Sequence, residues 1–552
     1  MAAQRFRSCS RVWEAMPPFL RQALLLGGDA GPRLLRLAEE LLVRLDGSPH
    51  SRTLTALFLD MVSFAWEASC FDPQAASVAH QLDCQRPFLP PSLRSFAAAC
   101  AGARPADRAA GARFEDLFAA QETEEVRLFL EDRRKAEAGN LYWFRFARLL
   151  GLREGCARWY ESWLEAEVLP SSIRRALRAE LDFAREDWSG AEKGFAAAHA
   201  EAPLADFLVK RGECLHRQGR REAAAACWSV VLRQRPWQIN LILRLSDILL
   251  DRDLPRGPPD GSGRILLYTW NHAADLDKAL GALAASELGS CGITLLDNGS
   301  ADATPEVVGL WRDRLAGRLE TVVLPTNVGA PAARNWLLSM DTVRAADWVV
   351  FLDDDALVPP DWLGLFGAAL AAYPGARVLG CRVVDQAAPL SVQIVDLHFD
   401  AGGGEEDRAE RQISEGRGFV PHALESADFG QFSYLRPAMS VTGCCHLLTR
   451  ASIEETGLFD LRFSPSQFDD FERDLRAALA GSSCVYQGHL AVRHIKRSGA
   501  MPGMSSWQQA NVGGNLFKLW NTYSNEQLEE IIRADNRILW EDLQQRLAGM
   551  GL

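Results

Sequence analysis

Apolar residues along the first 254 positions recur at helical spacing, as in Leu34, Leu35, Leu37, Leu41, Leu42 and Leu45, and runs of β-branched residues are almost absent. This pattern predicts a series of packed helices. Its last third repeats. Ala191, Phe195, Ala198 and Pro203 return as Ala224, Trp228, Val231 and Pro236, each 33 residues later. Small residues let antiparallel helices approach, an aromatic fills the space behind them, and proline ends the second helix. That is the tetratricopeptide pattern, with a generic pair of helical hairpins as the plainer reading. Gly212 and Gly219 suit the first helix and turn of the second copy, while Glu186 holds the place of Gly219 in the first.

The stretch from Asp253 to Arg264, DLPRGPPDGSGR, carries three prolines and three glycines and reads as a linker. Beyond it the period changes. Apolar runs at Ile265–Trp270, Ile293–Asp297, Leu319–Leu324 and Trp348–Asp353 read as strands, and Tyr268, Leu296, Leu324 and Leu352 stand 28 residues apart. Helical segments fall between them at Asp275–Leu288, Pro305–Leu315 and Ala332–Met340. One strand, one helix and two short loops fill that interval, so the expectation is a run of βα units in a parallel sheet. Ligands of such sheets bind beyond the carboxyl ends of the strands, which is where chemistry should be sought.

Length then sets the scale: 552 residues suit two to four domains. A chain that is 48% hydrophobic and 24% charged is globular rather than disordered or fibrous. With 72 acidic against 60 basic residues, the net charge of −12 argues against a nucleic-acid binder, which needs surplus Lys and Arg. The longest apolar runs, such as Leu365 to Tyr373, fall short of the ~20 residues of a membrane span. The twelve cysteines show no C-x-x-C pair or compact cluster, so they read as reduced thiols, and a cytoplasmic protein is expected.

At the strand ends, Tyr268–His272 carries no G-x-G-x-x-G fingerprint. The next end, Asp297-Asn298-Gly299-Ser300-Ala301-Asp302-Ala303-Thr304, reads alone as a turn with a helix cap, and Asp297 could equally accept hydrogen bonds from a ribose or base. After the third run, Asn327 to Asn335 opens a helix whose free N–H groups favour an anion, with Arg334 one turn further in. The fourth run ends in Asp353-Asp354-Asp355. Three carboxylates leaving a buried strand repel one another, and a hard divalent cation relieves that repulsion while leaving positions open for phosphate oxygens.

In this order and spacing, ILLYTWNHA, LLDNGSADAT, NVGAPAARN and FLDDDA resemble a family 2 glycosyltransferase of GT-A fold. The resemblance continues through VTGCCHLLTRASIEETGLFDLRF, DDFERDLRAALAG and AVRHIKRSG, covering about 240 residues. It implies an α/β GT-A (nucleotide-diphospho-sugar transferase) domain at 264–505. Before it would lie a helical region at 1–165, tetratricopeptide-like repeats at 166–254 and a linker at 255–263, and after it a helical segment at 506–552. It further implies that Asp353, Asp355 and His494 hold Mn²⁺ or Mg²⁺. Thr269, Trp270, Asn271, Asp297, Asn327, Gly329, Arg334 and Asp354 would then line the nucleotide-sugar site. Asp470, with Asp469 beside it, matches the catalytic pair, and Glu472 stays an alternative base. By periodicity alone, Asp469, Asp470, Glu472 and Asp474 read as a solvated helix face.

The expected activity is metal-dependent, inverting transfer of a sugar from a nucleotide-diphosphate donor to an acceptor hydroxyl, in a glycan, lipid-linked or protein acceptor. The lack of membrane helices and of a Q-x-x-R-W segment points to single addition. A scaffold with an inactive transferase domain, and a nucleotidyltransferase, are the alternatives. The repeats are expected either to recruit a protein partner or to brace the catalytic domain.

Overall fold

The computed structural model describes residues 7–27, 31–44, 51–119, 122–315, 317–399, 427–496 and 505–550. Leu45 and the Arg497–Gly499 end of the last motif lie outside them. Every described element before residue 250 is a helix. The repeat occupies two hairpins, Ser171–Ala184 with Trp188–Glu201 and Ala205–Arg217 with Arg221–Gln234. Its six non-proline positions are buried. The close approach is strict at Gly212, where a Cβ would fall 2.2 Å from the Trp228 indole nitrogen. At the turns, Gly219 has φ +73° and Glu186 takes a φ of +61° at the equivalent place, so the first copy keeps the left-handed turn without the glycine.

Among the described residues, ten strands form one mixed sheet. They are β1 (Gly263–Thr269), β2 (Gly292–Asp297), β3 (Leu319–Val323), β4 (Trp348–Leu352), β5 (Ala356–Leu357), β6 (Val378–Asp385), β7 (Val392–Ile394), β8 (Leu435–Ala438), β9 (Cys445–Thr449) and β10 (Cys484–His494). The order is β3-β2-β1-β4-β9-β6-β10-β5, with β7 beside β6 and β8 beside β10. The first four strands pair in parallel, and the helices between them begin and end within four residues of their predicted limits. β9 then runs antiparallel to β4, with Leu352 opposite Cys445. β10 runs parallel to β6, and its last residue, His494, pairs with Ala356. Two returns therefore bring β9 and β10 to the carboxyl end of β4.

The sheet is buried on both faces. One face shares an apolar core with the N-terminal helices and the last helix, Asn525–Gly549. The other is covered by Trp362–Ala372 and the βα helices. The Pro/Gly stretch lies along the Trp362–Ala372 helix, where Arg256 N–H donates to Gly364 O at 2.8 Å. The C-terminal helix Ser506–Thr522 packs through Leu519, which is buried, and Trp520, whose ring centroid lies 5.6 Å from that of Phe399. Among the described residues, no helix is long and apolar enough to cross a membrane.

Buried charge ties the helical half to the sheet. Asp247, on the helix Ile239–Leu249, accepts from Leu435 N–H of β8 at 2.7 Å and meets His489 of β10 at 3.0 Å and Arg546 at 2.7 Å. Glu213 is clasped by Arg217 and Arg244 at 2.7 and 2.5 Å. Gly430 approaches it so closely that a Cβ would fall 2.2 Å from the Glu213 carboxyl carbon.

Candidate active site

The end of β1 is locked before it can meet a ligand. Thr269 is buried, and its hydroxyl donates to Asp354 at 2.5 Å, which His272 also approaches at 3.2 Å. Asn271, at φ +55°, donates its N–H to Ser300 Oγ and accepts from Ala301 N–H, at 2.9 and 2.7 Å. Trp270 faces outward, 48% exposed, and Asn271 beside it is exposed as well. At the end of β2, Asp297 is buried and accepts from Ser300 N–H at 2.9 Å. Asn298 bridges to the β3 loop, donating to Asn327 Oδ1 at 3.0 Å and accepting from Val328 N–H at 3.0 Å. Asn327 in turn accepts from Gly329 N–H at 2.8 Å.

The helix Ala330–Ser339 begins after Gly329, whose φ is +84°. Its first N–H is not open to a ligand: Ala330 donates to Pro465 O at 2.7 Å. Arg334 is buried beneath the site, donating to Asp469 at 2.6 Å and lying over the rings of Tyr268 and Phe459. Burial works against its charge, but Asp469, Tyr268 and Asp470 outweigh it and hold the guanidinium firmly protonated.

Around the end of β4 the three expected metal ligands converge. His494 Nε2 lies 2.9 Å from Asp355 and 3.8 Å from Asp353, while Asp354 turns away toward Thr269. The environments of the outer pair differ. Burial, reinforced by Asp355, lifts Asp353 to about 7, although His494 opposes the shift. Burial also acts on Asp355, but His494 beside it wins and holds that carboxyl below its ordinary range. His494 is 3% exposed, and its Nδ1 lies 3.1 Å from Gln393 Oε1. Its Nε2 has no hydrogen-bond partner among the described residues, because the carboxylate contacts lack the alignment. An imidazole with one nitrogen oriented by a carbonyl oxygen and the other turned toward carboxylates fits a metal ligand.

The catalytic candidates arrive on the helix Asp469–Leu479. Asp469 is buried against Arg334, and burial pushes its carboxyl up despite that partner. Asp470 is half-buried, accepting from Gly443 N–H at 2.6 Å and from Phe471 N–H at 2.8 Å. Glu472 turns the other way, 3.0 Å from the Tyr523 hydroxyl and 2.8 Å from Arg476. Asp474 accepts from Ser440 Oγ at 2.7 Å. Three of the four acids are therefore buried and partnered, and the face is not solvated. Asp470 is the more open one, a single residue from Cys444 through Gly443.

Two participants were not singled out by the sequence. Cys444 joins Asp353 and His494, each offering a ligand atom within 4.8 Å of the others. Lys496 Nζ stands 2.5 Å from His272 Nε2 at the rim. The signal for Cys444 was its place just before β9, which gains meaning only once β9 is known to run antiparallel to β4.

Residues 265–456 match the profile of the family described as Glycosyl transferase family 2. No curated protein matches the chain. Among solved structures, GalNAc-T7 with UDP, GalNAc and Mn²⁺ is similar at 13% identity and a TM-score of 0.36, over 52% of this chain and 54% of that one. The mannosyltransferase PcManGT from Pyrobaculum calidifontis, in complex with GDP-Man and Mn²⁺, is similar at 16% identity and a TM-score of 0.35, over 60% and 86%. S. aureus TarS is similar at 13% identity and a TM-score of 0.29, over 48% and 44%. The chain thus spans about half the length of the first of these.

Proposed function

We propose that the family 2 glycosyl transferase domain at 265–456, completed by β10 and the Asp469–Leu479 helix, transfers one sugar from a nucleotide-diphosphate donor to an acceptor hydroxyl with inversion. The observation that carries this reading is the convergence of Asp353, Asp355 and His494 at the end of β4, with the half-open Asp470 beside them across Gly443. Asp353, Asp355 and His494 would hold Mn²⁺ or Mg²⁺, which supplies positive charge to the leaving diphosphate. Asp297 accepts a hydrogen bond from the ribose or base, and Trp270 offers an exposed ring near it. Thr269, Asn271, Asn327, Gly329 and Asp354 shape the donor site by fixing its loops. Arg334 holds Asp469, and so the start of its helix. Asp470 takes the acceptor proton as the oxygen attacks the anomeric carbon. The new C–O bond forms as the bond to phosphate breaks, and its electron pair leaves on the diphosphate.

The helical half, its tetratricopeptide-like pairs included, braces the catalytic domain in this reading. The Asp247 contacts to β8, β10 and Arg546 support bracing over a free recruiting arm. Nucleotide release from UDP-, GDP- and dTDP-sugars, with Mn²⁺ and with a chelator, tests the proposal. Release that depends on the cation and disappears in Asp355→Asn is expected. Release that survives chelation would overturn the metal role, and pyrophosphate as the product would overturn transfer itself.

A further inference from the structure

The strand-end cluster contains a ligand that a hard-cation site does not call for. Because β9 returns antiparallel to β4, the residue before β9 lies beside the residue after β4, and Asp353 N–H donates to Cys444 O at 2.9 Å. The Cys444 sulfur, an Asp353 oxygen and a His494 ring nitrogen all lie within 4.8 Å of one another. Cys444 and His494 are buried, while 29% of the Asp353 side chain is open, which gives a cation its way in. The independent sign of a ligand is His494 itself: its Nε2, on a side chain at 3% exposure, lies 2.9 Å from Asp355 and 3.8 Å from Asp353 yet makes no aligned hydrogen bond among the described residues.

We propose that Asp353, Cys444 and His494 form an oxygen–sulfur–nitrogen site for a thiophilic divalent cation of the Zn²⁺, Co²⁺ or Cd²⁺ class, with Gln393 as the residue that orients the imidazole. This rests on the reading that the strand end holds a metal, and it changes which metal that is. Two carboxylates with His494 suit Mn²⁺ or Mg²⁺, whereas a thiolate added to the imidazole suits Zn²⁺ and its softer relatives. Binding exchanges the thiol proton for the cation, and the proton passes to solvent. Asp353 and His494 belong to both ligand sets, so a thiophilic cation and Mn²⁺ compete for one position. Cys444 thereby acts as a selectivity element within the transferase site.

The test uses the full chain with Co²⁺ as the probe. Wild type is expected to develop a near-ultraviolet sulfur-to-cobalt charge-transfer band that saturates at one equivalent, and Cys444→Ser to lose it. Cd²⁺ should release bound Mn²⁺, followed by paramagnetic resonance, at a concentration at least tenfold lower in wild type than in Cys444→Ser. Cys444→Asp keeps a ligand but hardens it, and should tighten Mn²⁺ while abolishing the cobalt band. Thermal melts establish that each variant is folded. Gln393→Ala should weaken both cations by roughly tenfold or more, as removal of an orienting partner does. Co²⁺ binding without the band, or a band that persists in Cys444→Ser, overturns the thiolate and leaves the metal-dependent reading standing. Failure of Mn²⁺ and Co²⁺ alike to bind, even with UDP or GDP present, overturns both.

Discussion

Two regions of this chain bury several charges within a few ångströms, and they treat them in opposite ways. Within the helical half and where it meets the sheet, three buried acids have their cations. Glu213 sits between Arg217 and Arg244, Glu180 between Arg148 and Lys210, and Asp247 between His489 and Arg546. Burial alone would raise these carboxyls, but the partners outweigh it: Glu180 falls to about 2, and Glu213 and Asp247 are also held below their ordinary range. At the end of β4 the balance reverses. Burial wins at Asp353, which rises to about 7, and His494, though 2.9 Å from Asp355, makes no aligned hydrogen bond through its Nε2 among the described residues. Saturated charge is architecture. Unsaturated charge, facing a cleft, is stabilisation withheld from the fold and available to a ligand.

The contrast breaks most visibly if single changes at the two regions have the same signature. Asp470→Asn should lower turnover by roughly 10²–10⁴-fold, the usual worth of a general base, and leave the melting temperature nearly unchanged. A large loss of stability would show that Asp470 belongs to the architecture. Glu213→Ala should do the reverse, since it leaves Arg217 and Arg244 facing each other in a buried site. About 3–5 kcal/mol of stability should go, measured by denaturant unfolding, while Mn²⁺ affinity stays within about twofold.

Acid sharpens the same distinction. A carboxyl whose folded pKa lies below its unfolded value contributes stability that is fully present above the unfolded value and lost as pH falls through the folded one. For Glu180 that window runs from about 4.5 down to about 2. Denaturant midpoints should decline across it, and Glu180→Gln should flatten the decline. A smaller effect joins the two regions. Asn515, on the Ser506–Thr522 helix, donates to Phe463 O and Ser466 O at 2.8 Å. This loop contains Gln467 and Phe468 at φ +83° and +69°, a strained turn directly before Asp469 and Asp470. Asn515→Ala should lower kcat about tenfold with little change in the KM for donor, and cost about 1–2 kcal/mol of stability. An unchanged kcat would detach the C-terminal helix from the aim of Asp470.

The first four strands were legible because local pattern decides them: five apolar residues in WVVFL, then three acids, at a repeated 28-residue interval. The Asp353–Asp355 pair came with them. What stayed hidden depends on contacts that no local pattern encodes. Cys444 gains meaning only through the antiparallel return of β9, and Arg334 became a buried partner of Asp469 rather than a solvated arginine. The acids of DDFERDL have the spacing of a solvated face, yet Glu472 and Asp474 are buried against Tyr523 and Ser440, which arrive from elsewhere in the chain. Asp247, in RLSDILL, looks like an ordinary polar residue on a helix until β8, β10 and the last helix surround it.

The smallest expected effect is the most discriminating because its sign is unusual. Asp353→Asn removes a carboxylate that burial and Asp355 both disfavour in the cation-free protein. His494, 3.8 Å away, opposes that cost through charge alone, without a hydrogen bond, and offsets only part of it. The melting temperature of the cation-free chain at neutral pH should therefore rise, by up to about 1 °C, a shift that corresponds to about 1 kcal/mol in a chain of this size. Mn²⁺ should reverse the order: wild type gains stability by mass action on binding, and Asp353→Asn does not. A lower melting temperature for Asp353→Asn without cation would mean that Asp353 holds the fold together as Glu213 does, and the distinction between the two regions would fail at its central residue.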